Sequence, residues 1–444
     1  MDLLKSLAMP QSQEHYRLLL FMLNLTFIVF VPYIGFLLGA SFLARREERR
    51  GRATGNAMKV RFARDLVDVA LANKKVLAFM GILPALALVF LYAQLLQQTP
   101  AISVNLAGYG FLLLLAAGVL LYGYKYTFDL AGVLDGLMGK GHGSEEAILF
   151  SAINARRHDA MGRWGAMLIA AALFLLTAAI AVAVNRDAWE GVGSVWELFI
   201  TPDVYIKYLQ FLALALGMTG LGILFFFFAW EGGRSMDAAY ADYARKKGID
   251  LAVVSLLVQP FLILLSILVL PADALSGVML ALAGIAVLLL LLALQLLYAL
   301  QKEGKVQYAG LAFFALVCAS AFTVTKDQLA IQNATKEHAA RLVVAHEKKL
   351  ESLKAKLGIG APVPTGEDIY NGRCSACHLD DQKKVGPPYN VVIPKYSGKK
   401  AEMVSFVLNP AKVDPAYPPM PNQRLKPGEA DSIVSYLFRK FGQQ

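Results

Sequence analysis

Residues 373–378 read Arg-Cys-Ser-Ala-Cys-His, and this stretch decides the architecture of the C-terminal part of the chain. Two cysteines separated by two residues and followed at once by a histidine form the signature of covalent haem c attachment. The thiols of Cys374 and Cys377 can bond the two vinyl groups of one haem, and His378 then lies beneath the iron as its proximal ligand. The motif predicts one covalent haem c and a role in electron transfer.

The composition shows that most of the chain contacts lipid. Of 444 residues, 57% are hydrophobic and 17% are charged, whereas an ordinary soluble domain has roughly half and a quarter. The third cysteine, Cys318, lies inside an apolar run, so no disulfide framework is expected.

Eight segments of about 20 or more mostly apolar residues are long enough to cross a bilayer as helices. They predict an all-α fold with an eight-helix transmembrane bundle in residues 1–326. The predicted spans are 17–44, 76–97, 102–127, 162–184, 204–230, 250–271, 275–300 and 307–325.

The distribution of charge orients these spans. The first loop, 44–75, holds ten basic and four acidic residues, which predicts a cytoplasmic loop because Lys and Arg are retained inside. The third, fifth and seventh loops are also basic, and the even-numbered loops are poor in Lys and Arg. Covalent haem attachment takes place on the outer side, so both arguments predict periplasmic termini and a multi-pass protein of a bacterial inner membrane. The formal net charge of +10 is explained by these basic cytoplasmic loops, which also suit the anionic lipid of the inner leaflet. No nucleic-acid partner is therefore expected.

Residues 327–364 predict an amphipathic helical stalk and a hinge. Apolar positions alternate by four and three, as in a short coiled coil, and the hinge contains two glycines and two prolines from Gly358 to Pro364. A coiled-coil contact with a partner and packing on the chain's own membrane domain both fit this pattern. The positions of this seam are Ala339, Val343, His346, Leu350, Leu353 and Leu357, and His346 is the polar residue among them.

Residues 365–444 resemble the class I cytochrome c domain in size and in motif order. Thr365 and Asp368 are spaced to cap a first helix, which would run through Tyr370 into the haem motif. A C-terminal helix from Ala430 to Phe441 would cross it. The resemblance implies that the carbonyl of Pro387, in a Gly-Pro turn, accepts a hydrogen bond from the proximal imidazole and orients its ring.

Two methionines are candidates for the sixth iron ligand. Met420 lies in a proline-rich loop before the last helix, which is the position of this ligand in the family, whereas Met403 lies in a helical pattern typical of the core. We therefore predict His378 and Met420 as the iron ligands. The complete predicted cofactor-binding set is Cys374, Cys377, His378, Met420, Pro387 and Tyr370.

Five lysines follow the haem motif and could steer an acidic partner towards the exposed haem edge. An ordinary solvated surface explains them equally well, since Asp380 and Asp381 partly offset their charge. The lysines are Lys383, Lys384, Lys395, Lys399 and Lys400.

The membrane spans contain no histidine, so the sequence predicts no pair of intramembrane haem ligands; His142 and His158 are expected in the third loop. The first span, with Phe30-Val31-Pro32, Gly35 and Gly39, resembles the opening helix of subunit I of the cytochrome bd quinol oxidases. It departs from that family at Phe27, which stands where the family has a haem-ligating histidine. Uncharged polar residues such as Gln210 and Gln259 could line a quinone or proton path, but residues of this kind more often bridge neighbouring helices, so no quinone site is assigned from them.

These observations predict an integral cytochrome c subunit of a respiratory electron-transfer complex, not catalytic by itself. Its expected partners are other membrane subunits, a periplasmic electron donor or acceptor, membrane lipid and, through a partner, quinol. One alternative is a divergent bd-like oxidase or quinol-oxidising subunit with further haems. Another is a redox sensor or transporter that carries a haem c module.

Overall fold

The protein consists of helices and their connections. A computed structural model describes residues 11–139, 145–357 and 364–442, and these ranges contain no strand. The helices, numbered in chain order, are α1 (Gln13–Thr54), α2 (Ala57–Ala70), α3 (Lys74–Leu95), α4 (Ser103–Gly139), α5 (Glu145–Val184), α6 (Asp187–Gly191), α7 (Pro202–Leu224), α8 (Ala238–Leu268), α9 (Gly277–Glu303), α10 (Gln307–Ala334), α11 (Lys336–Lys356), α12 (Gly366–Ile369), α13 (Tyr389–Val392), α14 (Lys400–Leu408) and α15 (Pro427–Phe441).

Eight helices in the described ranges are long and apolar enough to cross a membrane, namely α1, α3, α4, α5, α7, α8, α9 and α10. This finding confirms the predicted number of spans. Helices α1 and α5 have 42 and 40 residues, which is about 60 Å each at 1.5 Å per residue, roughly twice the hydrocarbon thickness. The predicted spans 17–44 and 162–184 cover only the apolar parts of α1 and α5, because the remaining turns of these two helices are polar.

The surface of the bundle is apolar where lipid would cover it. Phe21, Val119 and Phe261 are 62%, 73% and 74% exposed in the isolated chain. Lipid contact accounts for side chains of this kind, since hydrocarbon is a good solvent for them and water is not.

Ion pairs join the polar ends of several spans. Arg45 on α1 lies 2.9 Å from Asp159 on α5, and Glu47 on α1 lies 2.8 Å from Lys247 on α8. These contacts bring residues of the first, third and fifth predicted loops to one end of the bundle. The even-numbered loops therefore lie at the opposite end.

The structure corrects the expected position of His158. This residue does not lie in a loop, because α5 begins at Glu145, and its side chain is 4% exposed. Its Nε2 lies 2.7 Å from Glu48 Oε1 and its Nδ1 lies 2.7 Å from Thr127 Oγ1. Both ring nitrogens thus have partners, which offsets the cost of burying the ring. His142 lies outside the described residues.

A close contact between α7 and α8 depends on small residues. A Cβ added to Gly220 would lie 2.5 Å from the backbone nitrogen of Ala252 and 2.6 Å from the carbonyl oxygen of Gly248. Small residues at such contacts let helix backbones approach closely in a membrane, where packing rather than the hydrophobic effect holds helices together.

The chain divides into two compact units. The first comprises Leu20–Asn333, and the second begins at Ala334 and includes the start of α1 up to Leu19. Helix α10 thus continues beyond 325, where the sequence pattern ended the last span, and carries Lys326 and Asp327 inside the membrane domain. Lys326 is fully buried and pairs with Asp327 at 2.6 Å. These two charges ended the predicted span, but in the structure they are paired.

In the second unit, α11 packs against α14 and α15. Val344 on α11 joins the buried cluster that contains Val404 and Leu437. The sequence did not predict this contact of α11 with α14 and α15. Leu353 and Leu357, at the end of the predicted apolar seam, are 46% and 70% exposed. The predicted hinge from Gly358 to Val363 lies outside the described residues.

Replacing Gly220 with Ala is expected to lower the free energy of unfolding by about 1–3 kcal/mol, because the new Cβ cannot fit without a backbone shift. Titration of the purified chain with a denaturing detergent, followed by helical circular dichroism, measures this change. Gly284→Ala is the matched control, since Gly284 lies on α9 with nothing within 4 Å of its Cβ position. Equal stability of the two variants would contradict the assigned contact.

The docking of α11 is expected to weaken in acid. Asp431 on α15 lies 2.7 Å from Lys348 and 2.8 Å from Lys400. Burial alone would raise the pKa of Asp431, but the bonds from both lysines outweigh it and lower this pKa below its ordinary value of 3.8. A lowered pKa gives stability that is complete above the unfolded value and is lost as the pH falls through the folded value.

Hydrogen exchange of the peptides that cover α11, corrected for intrinsic rates, measures this effect in the full chain. Protection should be constant from neutral pH to about 5 and should fall below about 4. Asp431→Asn should reduce protection at neutral pH. We expect the free energy of opening of α11 to fall by about 0.2–1 kcal/mol for each of the two ion pairs, with Lys348 and Lys400, that the substitution removes. Asp414→Asn, at an exposed site without an ion pair in the described chain, is the control; identical profiles would disprove the assignment.

Candidate haem site

A capped first helix positions the cysteine motif. The hydroxyl of Thr365 accepts a hydrogen bond from the backbone nitrogen of Asp368 at 3.2 Å, and the Asp368 carboxylate accepts from the backbone nitrogen of Thr365 at 2.8 Å. This reciprocal cap fixes the first turn of α12. The chain then continues through the π-helical turn Tyr370–Cys374. The motif therefore begins at the end of a helix whose first turn is fixed.

The next turn brings both thiols and the imidazole together. The carbonyl of Cys374 accepts hydrogen bonds from the backbone nitrogens of Cys377, at 3.1 Å, and His378, at 3.0 Å. Both thiols are partly exposed, and burial raises the pKa of the Cys374 thiol above its ordinary value. Two accessible thiols three residues apart thus lie on one turn beside His378.

One hydrogen bond fixes the orientation of His378. Its Nδ1 lies 2.8 Å from the carbonyl oxygen of Pro387. A carbonyl oxygen only accepts hydrogen bonds, so Nδ1 donates and Nε2 carries the free lone pair. In this tautomer the imidazole can ligate a metal through Nε2.

Gly386 allows this ring position. A Cβ at this residue would lie 2.3 Å from His378 Cε1 and 2.7 Å from its Nε2. Backbone hydrogen bonds hold the loop in place, since the nitrogens of Val385 and Gly386 donate to the Cys377 carbonyl at 3.2 and 2.9 Å. The Gly-Pro turn therefore supplies both the space and the acceptor for the ring.

Aromatic rings pack against the imidazole of His378. The ring of Tyr389 stacks on His378 with centroids 4.9 Å apart, and it also stacks on Phe441 at 5.5 Å. Tyr370 lies 5.8 Å from Tyr389 and 5.5 Å from Tyr436. This group connects the histidine to the helix that follows Thr365 and to α15, so the site and the core share side chains.

A charged triad lies next to these rings. The hydroxyl of Tyr370 donates to Asp380, and Lys440 lies 2.9 Å from Asp380 and over the Tyr370 ring at 4.4 Å. Burial alone would raise the pKa of Asp380, but the bonds from Tyr370 and Lys440 lower it. The carboxylate therefore stays ionised and joins the haem motif to the end of α15. Tyr370 thus contacts Asp380 and Lys440 directly beside the haem motif.

The two candidate methionines occupy different environments. Met403 is 5% exposed and belongs to the buried cluster on α14. Met420 lies in the irregular segment between α14 and α15 and is half-buried. Met403 is thus engaged in the core, whereas Met420 is in a loop.

The five lysines do not form one group. Lys399 lies 3.9 Å from Glu402 and Lys400 pairs with Asp431. Lys384 instead donates to the carbonyl of Ser375, inside the cysteine motif, at 3.0 Å, and Lys383 lies over the ring of Tyr417 at 4.7 Å. Among the contacts described for these lysines, the bond of Lys384 to Ser375 is the one that reaches the cysteine motif.

The donor set fits a covalently attached haem. Two accessible thiols, an imidazole with a free Nε2 and a glycine that leaves room for the ring lie in one short segment, and Met420 lies in a loop of the same domain. These features define a c-type haem-binding domain of the kind that transfers electrons.

Comparison with known proteins agrees with the geometry. A model of the cytochrome c family matches residues 363–438. Cytochrome c-551 of Pseudomonas denitrificans is 32% identical over 78 residues, which cover 16% of this chain and 94% of that protein. No solved structure matches the chain significantly. Through its C-terminal domain, the chain belongs to the class I cytochrome c family, whose members carry covalent haem c for electron transport.

Sequence reasoning missed several residues that shape the site. Tyr389, two residues after Pro387, supports the histidine, and Lys440 neutralises Asp380. The position of Tyr389, separated from the Gly-Pro turn by Pro388 alone, was a usable signal. The contact between Lys440 and Asp380 joins residues 60 positions apart, and no local pattern indicates such a pair.

Gly386→Ala is expected to displace the His378 ring, because a Cβ 2.3 Å from Cε1 cannot be accommodated. We expect weakened histidine ligation, seen as a changed visible spectrum and a shifted reduction potential in the holoprotein. Gly372→Ala is the control within the same domain, since nothing lies within 4 Å of that Cβ position. An unchanged spectrum and potential in Gly386→Ala would contradict the geometry.

Proposed function

We propose that this protein is a membrane-integral c-type cytochrome subunit of a respiratory electron-transfer complex, and that it passes single electrons through one haem c with His378 and Met420 as iron ligands. The observation that carries this proposal is the bond from His378 Nδ1 to Pro387. It leaves Nε2 free to bind iron, beside two thiols spaced for covalent attachment.

The bound haem supplies reversible one-electron chemistry at its iron. The residues of this chain hold the proximal ligand in one tautomer and exclude water from one side of it. Pro387 orients the imidazole, and Tyr389 covers its ring. A fixed ligand needs little rearrangement when the charge of the iron changes, which favours fast electron transfer.

Met420 as the distal ligand is supported by its environment. It lies in a loop and is half-buried, whereas moving Met403 out of the core would open a cavity in a cluster of buried side chains. Ligation by histidine and methionine raises the reduction potential relative to two histidines. The domain would then accept electrons from a quinol-oxidising partner and deliver them to a stronger oxidant.

We place the haem domain on the periplasmic side of a bacterial inner membrane. The first, third and fifth loops are rich in Lys and Arg, and their ion pairs gather at one end of the bundle. The last span ends at the opposite end and leads into the second unit.

The partner surface lies beside the haem motif. Lys383 and Lys384 are exposed there, and an acidic partner protein would be steered towards them. The membrane domain would bind the other subunits of the complex, since lipid-facing apolar surface also accepts neighbouring helices.

The proposal is tested on the purified full-length holoprotein. A pyridine haemochrome spectrum should give one haem c per chain and no stoichiometric b- or d-type haem. Met420→Ala should abolish the methionine-to-iron absorption band near the red end of the visible spectrum and lower the reduction potential.

Met403→Ala is the matched control. It should keep the band but lose about 2–5 kcal/mol of stability, because it opens a cavity in the core. Loss of the band in Met403→Ala alone would overturn the ligand assignment. A second haem type in stoichiometric amount would overturn the proposal of one redox centre.

A further inference from the structure

A groove of about 560 Å³ lies between α1 and α5, near the end of the bundle where Arg45 pairs with Asp159. This volume is in the range of small-molecule sites, which have about 300–1,000 Å³. Five arginines and four apolar residues line the groove, and none of these described residues is acidic. They are Phe42, Arg45, Arg46, Arg49, Arg50, Ala53, Arg163, Ala166 and Met167.

The spacing of these residues explains why they meet in one groove. On α1, the lining residues from Phe42 to Ala53 follow one another by three and then by one. On α5, Arg163, Ala166 and Met167 have the same spacing. Residues three and four apart lie on one face of a helix. One face of each helix therefore forms one wall of the groove.

The basic residues of the groove are all arginines. The lysines of the same first loop, Lys59, Lys74 and Lys75, do not line it. Retention of a loop on the cytoplasmic side requires positive charge, which Lys supplies as well as Arg does. Topology therefore explains the positive charge at this end of the bundle, but it does not explain a groove lined by arginine alone.

The carboxylates on the adjoining turns are already paired. Asp159 binds Arg45 at 2.9 Å, and Glu47 and Glu48 of α1 bond residues outside the groove. In the described part of the chain, the other four arginines of the groove make no ion pair. Like charges three or four residues apart on a helix repel each other. An anion in the groove would offset this repulsion.

One part of the groove faces lipid. Phe42 and Met167 are 47% and 51% exposed and lie in the apolar parts of α1 and α5, whereas Arg49 lies in a polar turn. The ring of Trp164, which is half exposed, lies 6.0 Å from the guanidinium of Arg163. Exposed Trp side chains are typical of the membrane–water interface. The groove therefore extends from this interface into the lipid-facing surface.

These features describe the chemistry of a ligand. Guanidinium groups bind phosphate through two parallel hydrogen bonds, and such charge-assisted bonds are stronger than neutral ones. The lipid-facing wall favours a phosphate that is attached to an apolar body. A zwitterionic phospholipid also carries an ammonium group, which the arginines would repel and for which the lining has no carboxylate. A phospholipid with a net negative charge meets all of these conditions.

We propose that this groove binds the phosphate head group of an anionic phospholipid, with Arg46, Arg49 and Arg163 as the principal contacts. Basic pockets between membrane helices bind such head groups in other proteins. The acyl chains lie against Phe42 and Met167, so the bound lipid joins α1 to α5. The site belongs to the membrane domain alone and does not depend on the ligands of the haem.

The test is lipid binding by the full-length holoprotein, purified in detergent and depleted of lipid. Native mass spectrometry with titration of each lipid should show saturable binding of cardiolipin and phosphatidylglycerol. Phosphatidylcholine should bind about tenfold more weakly, because its ammonium group is repelled. Cardiolipin should also raise the melting temperature, whereas inorganic phosphate at the same concentration should not.

Two double variants test the assigned arginines. Arg46→Gln with Arg49→Gln should weaken cardiolipin binding about tenfold, because two phosphate contacts are lost. Arg156→Gln with Arg157→Gln is the matched control, since it removes the same charge from exposed positions of α5 outside the groove. The affinity of this control for cardiolipin should be unchanged.

Thermal stability separates a binding role from a structural one. Without lipid, the groove variant should be at least as stable as the natural chain, because it removes charges that repel each other. Lower stability in the absence of lipid would indicate a structural role of these arginines and would count against the site. The haem content of the same samples tests the proposed function separately.

Three further results would overturn the inference. They are equal affinity for cardiolipin and phosphatidylcholine, equal affinity of the two double variants for cardiolipin, and stabilisation by inorganic phosphate as large as that by cardiolipin. The last result would indicate a site for a soluble anion and not for a lipid.

Discussion

The haem domain depends on one hydrogen bond, from His378 Nδ1 to the carbonyl of Pro387. This bond selects the tautomer and aims Nε2, and the close approach of Gly386 to the ring makes it possible. The surrounding contacts support the same residue: Tyr389 stacks on the ring, and Tyr389 in turn rests on Phe441 at the end of α15. The helix that enters the motif and the helix that closes the domain are therefore coupled through the proximal histidine.

The membrane domain is governed by a different constraint, namely that polar groups away from water need partners. His158 satisfies it with Glu48 and Thr127, both at 2.7 Å, and this set has no unpaired ring nitrogen. Lys207, Asp327 and Lys326 satisfy it by pairing with one another, whereas side-chain atoms of the neighbouring Gln210, Gln259 and Gln328 lack partners within the described protein. The first set explains how helices are held together at one end of the bundle.

Much of this structure could be predicted from the sequence, and the exceptions have a physical reason. Local patterns were sufficient for the number of spans, for the cap at Thr365 and for the cytochrome c class, since each depends on residues close in the chain. The ends of α1, α5 and α10 were not predictable from hydropathy, because their charged residues are paired across helices. From the sequence, Lys326 and Asp327 indicated the start of a polar stalk. In the structure, Asp327 pairs with both Lys326 and Lys207, and Lys207 lies more than a hundred residues earlier in the chain.

Because the haem domain is covalently continuous with the membrane helices, the proposed partner surface has a limited task. A haem domain that follows α10 and α11 in one chain cannot diffuse away, so its local concentration near membrane partners is set by the tether and not by affinity. Under the proposed function, Lys383 and Lys384 would need only to orient an acidic partner, and a weak contact would release it quickly. Transient electron-transfer contacts are small for this reason. If the membrane domain binds the permanent subunits of the proposed complex, the haem edge stays available for transient electron-transfer partners.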